Sequence, residues 1–248
     1  IGALSVGSNK KYKSNIGPVP GKVKFCKFND VSHLKKLVNK KTVAIIIEFV
    51  QGDGGINICS KNFAKAIKGI CKNKKILLIG DEIQGGIGRT GKIFAYKHYG
   101  VNPDIITSAK GLGSGIPIGA TIVKKYISKI ISTGFHGSTF GGGMLQTRVS
   151  YNVFKTINTK RFLNKVLING NLLSSLIKKM HHLHKDKIVD TRCLGLMAGV
   201  EFKNNQIALK TYEKMSKNGL ISTLIQGNII RLTPPLTVST GEIRLSLI

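Results

Sequence analysis

Apolar residues along this chain recur in two rhythms, and their alternation predicts the architecture. Short runs rich in β-branched residues at 42–48, 75–80, 104–107 and 120–124 read as strands. The first is nearly unbroken and is expected to be buried on both faces. Between the first two, Ser60 to Lys72 sets Phe63, Ala64, Ile67, Ile70 and Cys71 on one helical face and lysines on the other, with Ser60 as the N-cap. Strand, helix, strand in about forty residues is a βαβ unit and implies a parallel sheet. A polar helix over 31–40 precedes it, and helical spacing returns at 125–131, 145–158 and 162–184. The character then changes: a strand over 193–202, a helix over 207–217, and strands at 220–225 and 228–232. The pattern predicts an α/β protein, with a large domain over 1–158 and a smaller α+β domain over 159–248.

Candidate chemistry sits where strands end. Ser108 to Ala120 is too rich in glycine for a stable helix or an ordinary strand, so it reads as a tight loop with Lys110 at its mouth. Asp81 closes the 75–80 strand, and in open α/β sheets ligands gather at the carboxyl ends of strands. Lys110 and Asp81 should therefore face one crevice. A lysine opposite a carboxylate is the pair that pyridoxal phosphate requires, the amine for a Schiff base and the acid to keep the pyridine nitrogen protonated. The plainer alternative is a surface lysine and a structural acid.

The run Ile79-Gly80-Asp81-Glu82-Ile83-Gln84-Gly85-Gly86-Ile87-Gly88-Arg89-Thr90-Gly91 resembles the signature of class III (fold type I) pyridoxal-phosphate aminotransferases. Residues 95–110, from Ala95-Tyr96-Lys97-His98 to Ser108-Ala109-Lys110, resemble its acetylornithine branch most. The likeness covers nearly the whole chain. It implies a fold type I architecture, a mostly parallel sheet flanked by helices plus a smaller C-terminal domain. It also implies pyridoxal 5'-phosphate as cofactor and amino transfer from N-acetylornithine to 2-oxoglutarate in arginine biosynthesis, by a cytoplasmic homodimer. Ornithine or 4-aminobutyrate as donor is the alternative within the family. A catalytically dead, basic remnant of the fold is the alternative outside it.

Residue by residue, the resemblance implies that Lys110 carries the cofactor and later moves the Cα proton. Asp81 would hold the pyridine nitrogen, and Gln84 would lie near the phenolic oxygen. In a second glycine-rich loop, 134–142, Thr139 beside Ser138 would reach the phosphate of the neighbouring subunit, a role that suits hydroxyls on flexible backbone. Glu48 and Asp53 follow the first strand in the substrate region. Asp53 stands where the family usually has a glutamate paired with a substrate-binding arginine; as a residue among glycines it also fits a plain turn. Arg231, in Ile229-Ile230-Arg231-Leu232-Thr233-Pro234-Pro235-Leu236, stands where the family binds the distal carboxylate of 2-oxoglutarate or glutamate. The planar guanidinium fork matches a carboxylate, although an edge-strand ion pair would use it equally well. Three departures are visible: Asp53 for glutamate, Gly85 for threonine, and Gly143-Met144 for Asn-Pro, the last expected to loosen the next helix start. The opening, Ile1 to Val6 with Lys11-Tyr12 and Gly17 to Pro20, resembles a segment part-way along a family enzyme. It falls after the parts that cradle the phosphate, stack on the ring and supply a second substrate arginine.

Composition changes the picture little. The net charge of +28 would ordinarily point to nucleic acid or an anionic membrane. The excess is scattered lysine, 33 against 6 arginines, and isoleucine is equally inflated at 33, so a compositional bias explains it and no specific nucleic acid is expected. Cys26, Cys59, Cys71 and Cys193 match no zinc spacing and are expected to pack as small apolar residues in a reducing compartment. His136 is read as structural. Adjacent His181 and His182, with His184, splay around a helix and do not converge on one metal ion. No apolar run has the length of a membrane span and no signal peptide opens the chain.

Overall fold

The structure is a computed structural model that describes residues 1–9, 12–14, 16–19 and 21–247. Lys11 and Pro20 of the opening segment lie outside the described residues. Contacts divide the chain into two units, Ile1–Val43 and Ala44–Ile248. The first unit holds α1 (Gly2–Val6) and α2 (Val31–Leu37). Asp30 caps α2 by accepting the His33 N–H at 2.8 Å, so the helix starts where expected, but Val38 turns to extended backbone and ends it at Leu37, short of residue 40.

The second unit opens with β1 (Ala44–Ile47), then β2 (Val50–Gln51) and β3 (Asn57–Ile58), which pair as a hairpin. Next come α3 (Lys61–Lys74), β4 (Leu77–Asp81), β5 (Ile105–Ser108) and β6 (Ala120–Val123). The order in the sheet is β1-β4-β5-β6, with the first two pairings parallel and β6 antiparallel. The expected βαβ unit is thus β1, α3 and β4. Ser60 caps α3 at 3.1 Å from the Phe63 N–H, and Phe63, Ala64 and Ile67 bury against the sheet. The expectation that β1 is buried on both faces is not met. It is the outer strand among the described residues, and Val43 and Ile46 remain 78% and 42% exposed.

Helices α4 (Lys125–Ser128), α5 (Met144–Ile157) and α6 (Lys160–Leu183) lead to β7 (Ile188–Leu194) and β8 (Met197–Phe202). After α7 (Asn205–Lys217) come β9 (Thr223–Ile225), β10 (Ile229–Leu232) and α8 (Thr240–Leu245). These strands form an antiparallel sheet in the order β7-β8-β10-β9. The single strand expected over 193–202 is two strands joined by a turn at Gly195, whose φ of +59° a side chain rarely adopts. A Cβ there would stand 2.5 Å from the Thr90 carbonyl carbon, and one on Gly170 of α6 would stand 2.4 Å from the Gly195 carbonyl oxygen. Backbone therefore meets backbone where α6, this turn and the 83–98 loop converge. Val166, Leu173, Ile177, Leu196, Val200 and Ile230 fill the core between α6 and the antiparallel sheet. Cys59 and Cys71 are buried as expected, whereas Cys26 and Cys193 are only partly covered.

Candidate active site

The parallel strands β1, β4 and β5 bring their carboxyl ends to one edge of the sheet. Asp81 ends β4 and pairs in register with Thr107 of β5, three residues before Lys110. The Thr107 hydroxyl donates to Asp81 Oδ1 at 3.2 Å and the Ile83 N–H to the same oxygen at 3.0 Å. No hydrogen bond among the described residues reaches Oδ2. Beyond β5 the chain turns sharply, and Lys110 takes a φ of +46° at the start of a short 3₁₀ turn, Lys110–Leu112. A side-chain-bearing residue in that region costs on the order of 1–3 kcal/mol and marks a position that its surroundings dictate. The lysine side chain is exposed. Ser108, just before it, is 2% exposed, and its hydroxyl has no hydrogen-bond partner among the described residues.

A second cluster adjoins the first. The Arg231 Nη1 donates to Asp53 Oδ1 at 2.6 Å and to the Gln84 side-chain oxygen at 3.2 Å, while Gln84 Nε2 donates to the same Asp53 oxygen at 3.3 Å. Gln84 lies flat over Gly52, where any Cβ would collide with its amide at 2.2 Å. Both ends of the Gln84 amide are engaged by this pair. Arg231 Nε is buried without a partner among the described residues. Desolvation raises the Asp53 pKa, but the hydrogen bonds from Gln84 and Arg231, with the charges of Arg231 and Lys110, outweigh it and hold it below the usual range.

Glu48 accepts the Gly52 N–H at 3.1 Å. Its pKa is raised, first by burial and then by the negative charges of Asp81 and Asp53, against the pull of Lys110. Glu48, Asp53, Asp81 and Lys110 therefore share one electrostatic neighbourhood, and Gln84 and Arg231 join it by hydrogen bonds. Ser138 and Thr139 are exposed in the 134–142 loop, and no described side-chain hydrogen bond joins them to this group. Gly143, the residue that precedes α5, offers that helix no side-chain cap.

Glu82 is a residue the sequence pattern did not single out. It is fully buried, and its two carboxylate oxygens accept the N–H groups of Ala95 and Tyr96 at 2.7 and 2.8 Å. Burial pushes its pKa up to about 7, with those two N–H groups working against the shift. It ties the end of β4 to the far side of the 83–98 loop. Gly85 fits the same packing, since a Cβ there would meet that of Ala95 at 3.2 Å. Arg89 closes the loop on its other side by donating to the carbonyls of Leu196 and Pro234 at 3.0 and 2.6 Å, and burial lowers its pKa to about 10. The only sequence signal for Glu82 was its place beside Asp81.

Comparison with known proteins identifies the family. The aminotransferase class-III family model matches residues 1–247. Acetylornithine aminotransferase of Methanocaldococcus jannaschii is 39% identical over 244 residues, 97% of this chain and 60% of that protein. Ornithine aminotransferase 1 of Staphylococcus saprophyticus is 38% identical over 245 residues, 98% of this chain and 61% of that protein. A crystal structure of ornithine aminotransferase from Toxoplasma gondii, with partial occupancy of PLP at its active site, superposes with a TM-score of 0.93 at 28% identity. That superposition covers 100% of this chain and 59% of the other. The chain thus spans about 60% of the length of the relatives it matches. With a strand-end lysine and aspartate, a class-III signature between them and this likeness along the whole sequence, the chain belongs to the class-III aminotransferase family.

Proposed function

We propose that this chain forms the lysine-bearing part of a pyridoxal-phosphate-dependent aminotransferase that moves an amino group from N-acetylornithine to 2-oxoglutarate. The observation that carries the proposal is the convergence of Lys110, Asp81, Glu48, Asp53, Gln84 and Arg231, drawn from both sheets, into one charged cluster. The donor set fits the cofactor. A primary amine stands at one strand end, and a carboxylate with an unengaged oxygen stands at the next. The unpartnered Ser108 hydroxyl and Arg231 Nε are buried polar atoms of the kind that a polar ligand satisfies.

When bound, pyridoxal phosphate supplies an electron sink for the charge left at the substrate Cα once its proton departs. Lys110 would hold the cofactor covalently and then, its amine freed by the substrate, carry the Cα proton. Asp81 would face the ring nitrogen and keep it protonated through charge. Arg231 would bind the distal carboxylate of 2-oxoglutarate or glutamate, with Asp53 as the carboxylate that occupies the guanidinium otherwise. N-acetylornithine carries no second carboxylate, so it reacts with Asp53 left in place. Gln84 would join both roles: its amide bridges Asp53 and Arg231, and the family likeness puts it near the phenolic oxygen of the cofactor.

The same proposal includes a homodimer in which Thr139 and Ser138 serve the phosphate of the neighbouring subunit. Their loop is exposed, and Phe135, Phe140 and Met144 around it are 74%, 82% and 90% exposed, an apolar surface of the kind that subunit contacts cover. The proposal also places a large lobe before residue 159 and a smaller one after it, and sets the enzyme in the cytoplasm. No described helix is long and apolar enough to cross a membrane. The test is spectroscopic. Pyridoxal phosphate added to the purified chain is expected to give a visible absorbance band that N-acetylornithine bleaches and 2-oxoglutarate restores. Lys110→Ala should give no band, and a wild-type chain without one overturns the proposal.

A further inference from the structure

The Asp53 side chain is 74% exposed, so its own packing does not fix it opposite Arg231. Its backbone is another matter. Asp53 rides the β2–β3 hairpin, whose turn contains Ile56, a β-branched residue at a φ of +57° and fully buried. Such a conformation persists only where the surroundings over-determine it.

Those surroundings are two arginines and a glycine on the antiparallel sheet. Arg192 of β7 and Arg231 of β10 both pair in register with Gly199 of β8. Directly opposed residues of neighbouring antiparallel strands share a face, so the two arginines flank a position without a side chain. The hairpin lies over that gap: a Cβ on Gly199 would meet Ile56 at 3.1 Å. One arginine takes the hairpin's Asp53 side chain. The other takes its backbone, with Arg192 Nη1 donating to the Gly55 carbonyl at 2.5 Å and to Asn57 Oδ1 at 3.2 Å. From the β9–β10 turn, Gln226 Nε2 donates to the Asp53 carbonyl at 2.7 Å.

Arg192 is itself locked. Its Nε donates to Asp190 Oδ2 at 2.6 Å, its Nη2 pairs closely with Glu201, and the other Glu201 oxygen accepts from Asn228 at 3.4 Å. A guanidinium held at three edges is a rigid tether, which a flexible ammonium would not reproduce.

We propose that Arg192 and Gln226 are positioning residues that hold Asp53 against Arg231 and so set the competition between Asp53 and a substrate carboxylate for that guanidinium. The effect on substrate rests on Arg231 being the carboxylate-binding residue, as argued above. The positioning itself does not.

Titration of the six aspartates by carboxyl-carbon NMR separates the two. Asp53 is assigned by its loss in Asp53→Asn, and the charged groups facing it are Arg231, Lys110 and Glu48. In Arg192→Lys and in Gln226→Ala, Asp53 is expected to titrate higher by about one unit, as the pairing with Arg231 loosens. Asp104, paired with Lys124 at 2.7 Å, is expected to stay unchanged. Gln226 is exposed, so its variant keeps the test open if Arg192→Lys does not fold. In the cofactor-loaded protein, both variants are expected to lower the KM for 2-oxoglutarate about two- to fivefold with kcat unchanged, the range for an exposed ion pair. An unmoved Asp53 in folded variants overturns the positioning. A moved Asp53 with unmoved KM sustains the positioning and overturns the link to the substrate.

Discussion

The two ends of the crevice are built on opposite plans. At the lysine end, polar groups are left open: Asp81 has a carboxylate oxygen without a partner among the described residues, the Ser108 hydroxyl is buried alone, and the Lys110 side chain is exposed. At the arginine end, Asp53, Gln84 and the Arg231 Nη1 already bond one another, and the Arg231 Nε is left buried without a partner among the described residues. An open end is set up for a resident group that stays. In the proposed reaction the internally paired end would suit a visitor, because the Asp53 carboxylate would restore the pairing each time the visitor leaves. The difference is the one that the proposed reaction calls for, since only one of its two substrates would bring a second carboxylate.

Arg231→Ala breaks the comparison most severely. It is expected to lower kcat/KM for 2-oxoglutarate about 10- to 100-fold, the value of a charge-assisted hydrogen bond, and to affect N-acetylornithine far less. Steady-state kinetics with each substrate varied in turn read this split, and equal losses on both would erase the distinction between the ends.

Glu82→Gln probes the scaffold beneath both ends. The amide keeps one acceptor and turns a donor toward an N–H, so a cost of about 1–3 kcal/mol is expected in denaturant melts. The folded pKa of about 7 lies above the ordinary 4.5. Glu82 therefore contributes stability that is full below the ordinary value and is lost as pH rises through about 7. The gap between wild type and Glu82→Gln should be widest near pH 5 and should narrow toward pH 8. A constant gap would mean that Glu82 does not titrate in that window.

The smallest expected effect is that of Asp53→Asn. Removing the internal competitor should lower the KM for 2-oxoglutarate about two- to fivefold, as for an exposed ion pair. An increase would show that Asp53 orients the guanidinium instead of competing for it.

Much of this site was legible in the sequence because strand order converts to space by simple rules. β4 and β5 are parallel neighbours, so Asp81, at the end of one, and Lys110, two residues past the end of the other, fall at the same edge of the sheet. Arg231 and Asp53 were legible through family likeness, and their ion pair at 2.6 Å joins residues 178 positions apart. What sequence did not carry was tertiary. Glu82 reads as one more acid beside Asp81, and only the fold reveals that it clamps two backbone groups in the dark of the core. Arg192 sits in no periodic pattern, and its role depends on the register of three strands. The break at Gly195 was hidden because Leu194 and Leu196 on either side continue an apolar run, so turn and strand look alike. β1 was expected to be covered on both faces since its residues are all apolar, but composition does not say which strand is outermost.

The close approach of Gly170 to Gly195 bears on how the proposed enzyme would discriminate. Main chain touching main chain leaves no rotamer to adjust, and the same turn leans on Thr90 in the loop that Glu82 anchors. The sheet bearing Arg231 and the loop bearing Gln84 are thereby welded into one block. Under the proposed function, choosing between an amino donor and a dicarboxylate would then fall to swings of a few side chains, a lock whose tumblers turn while its casing stays still.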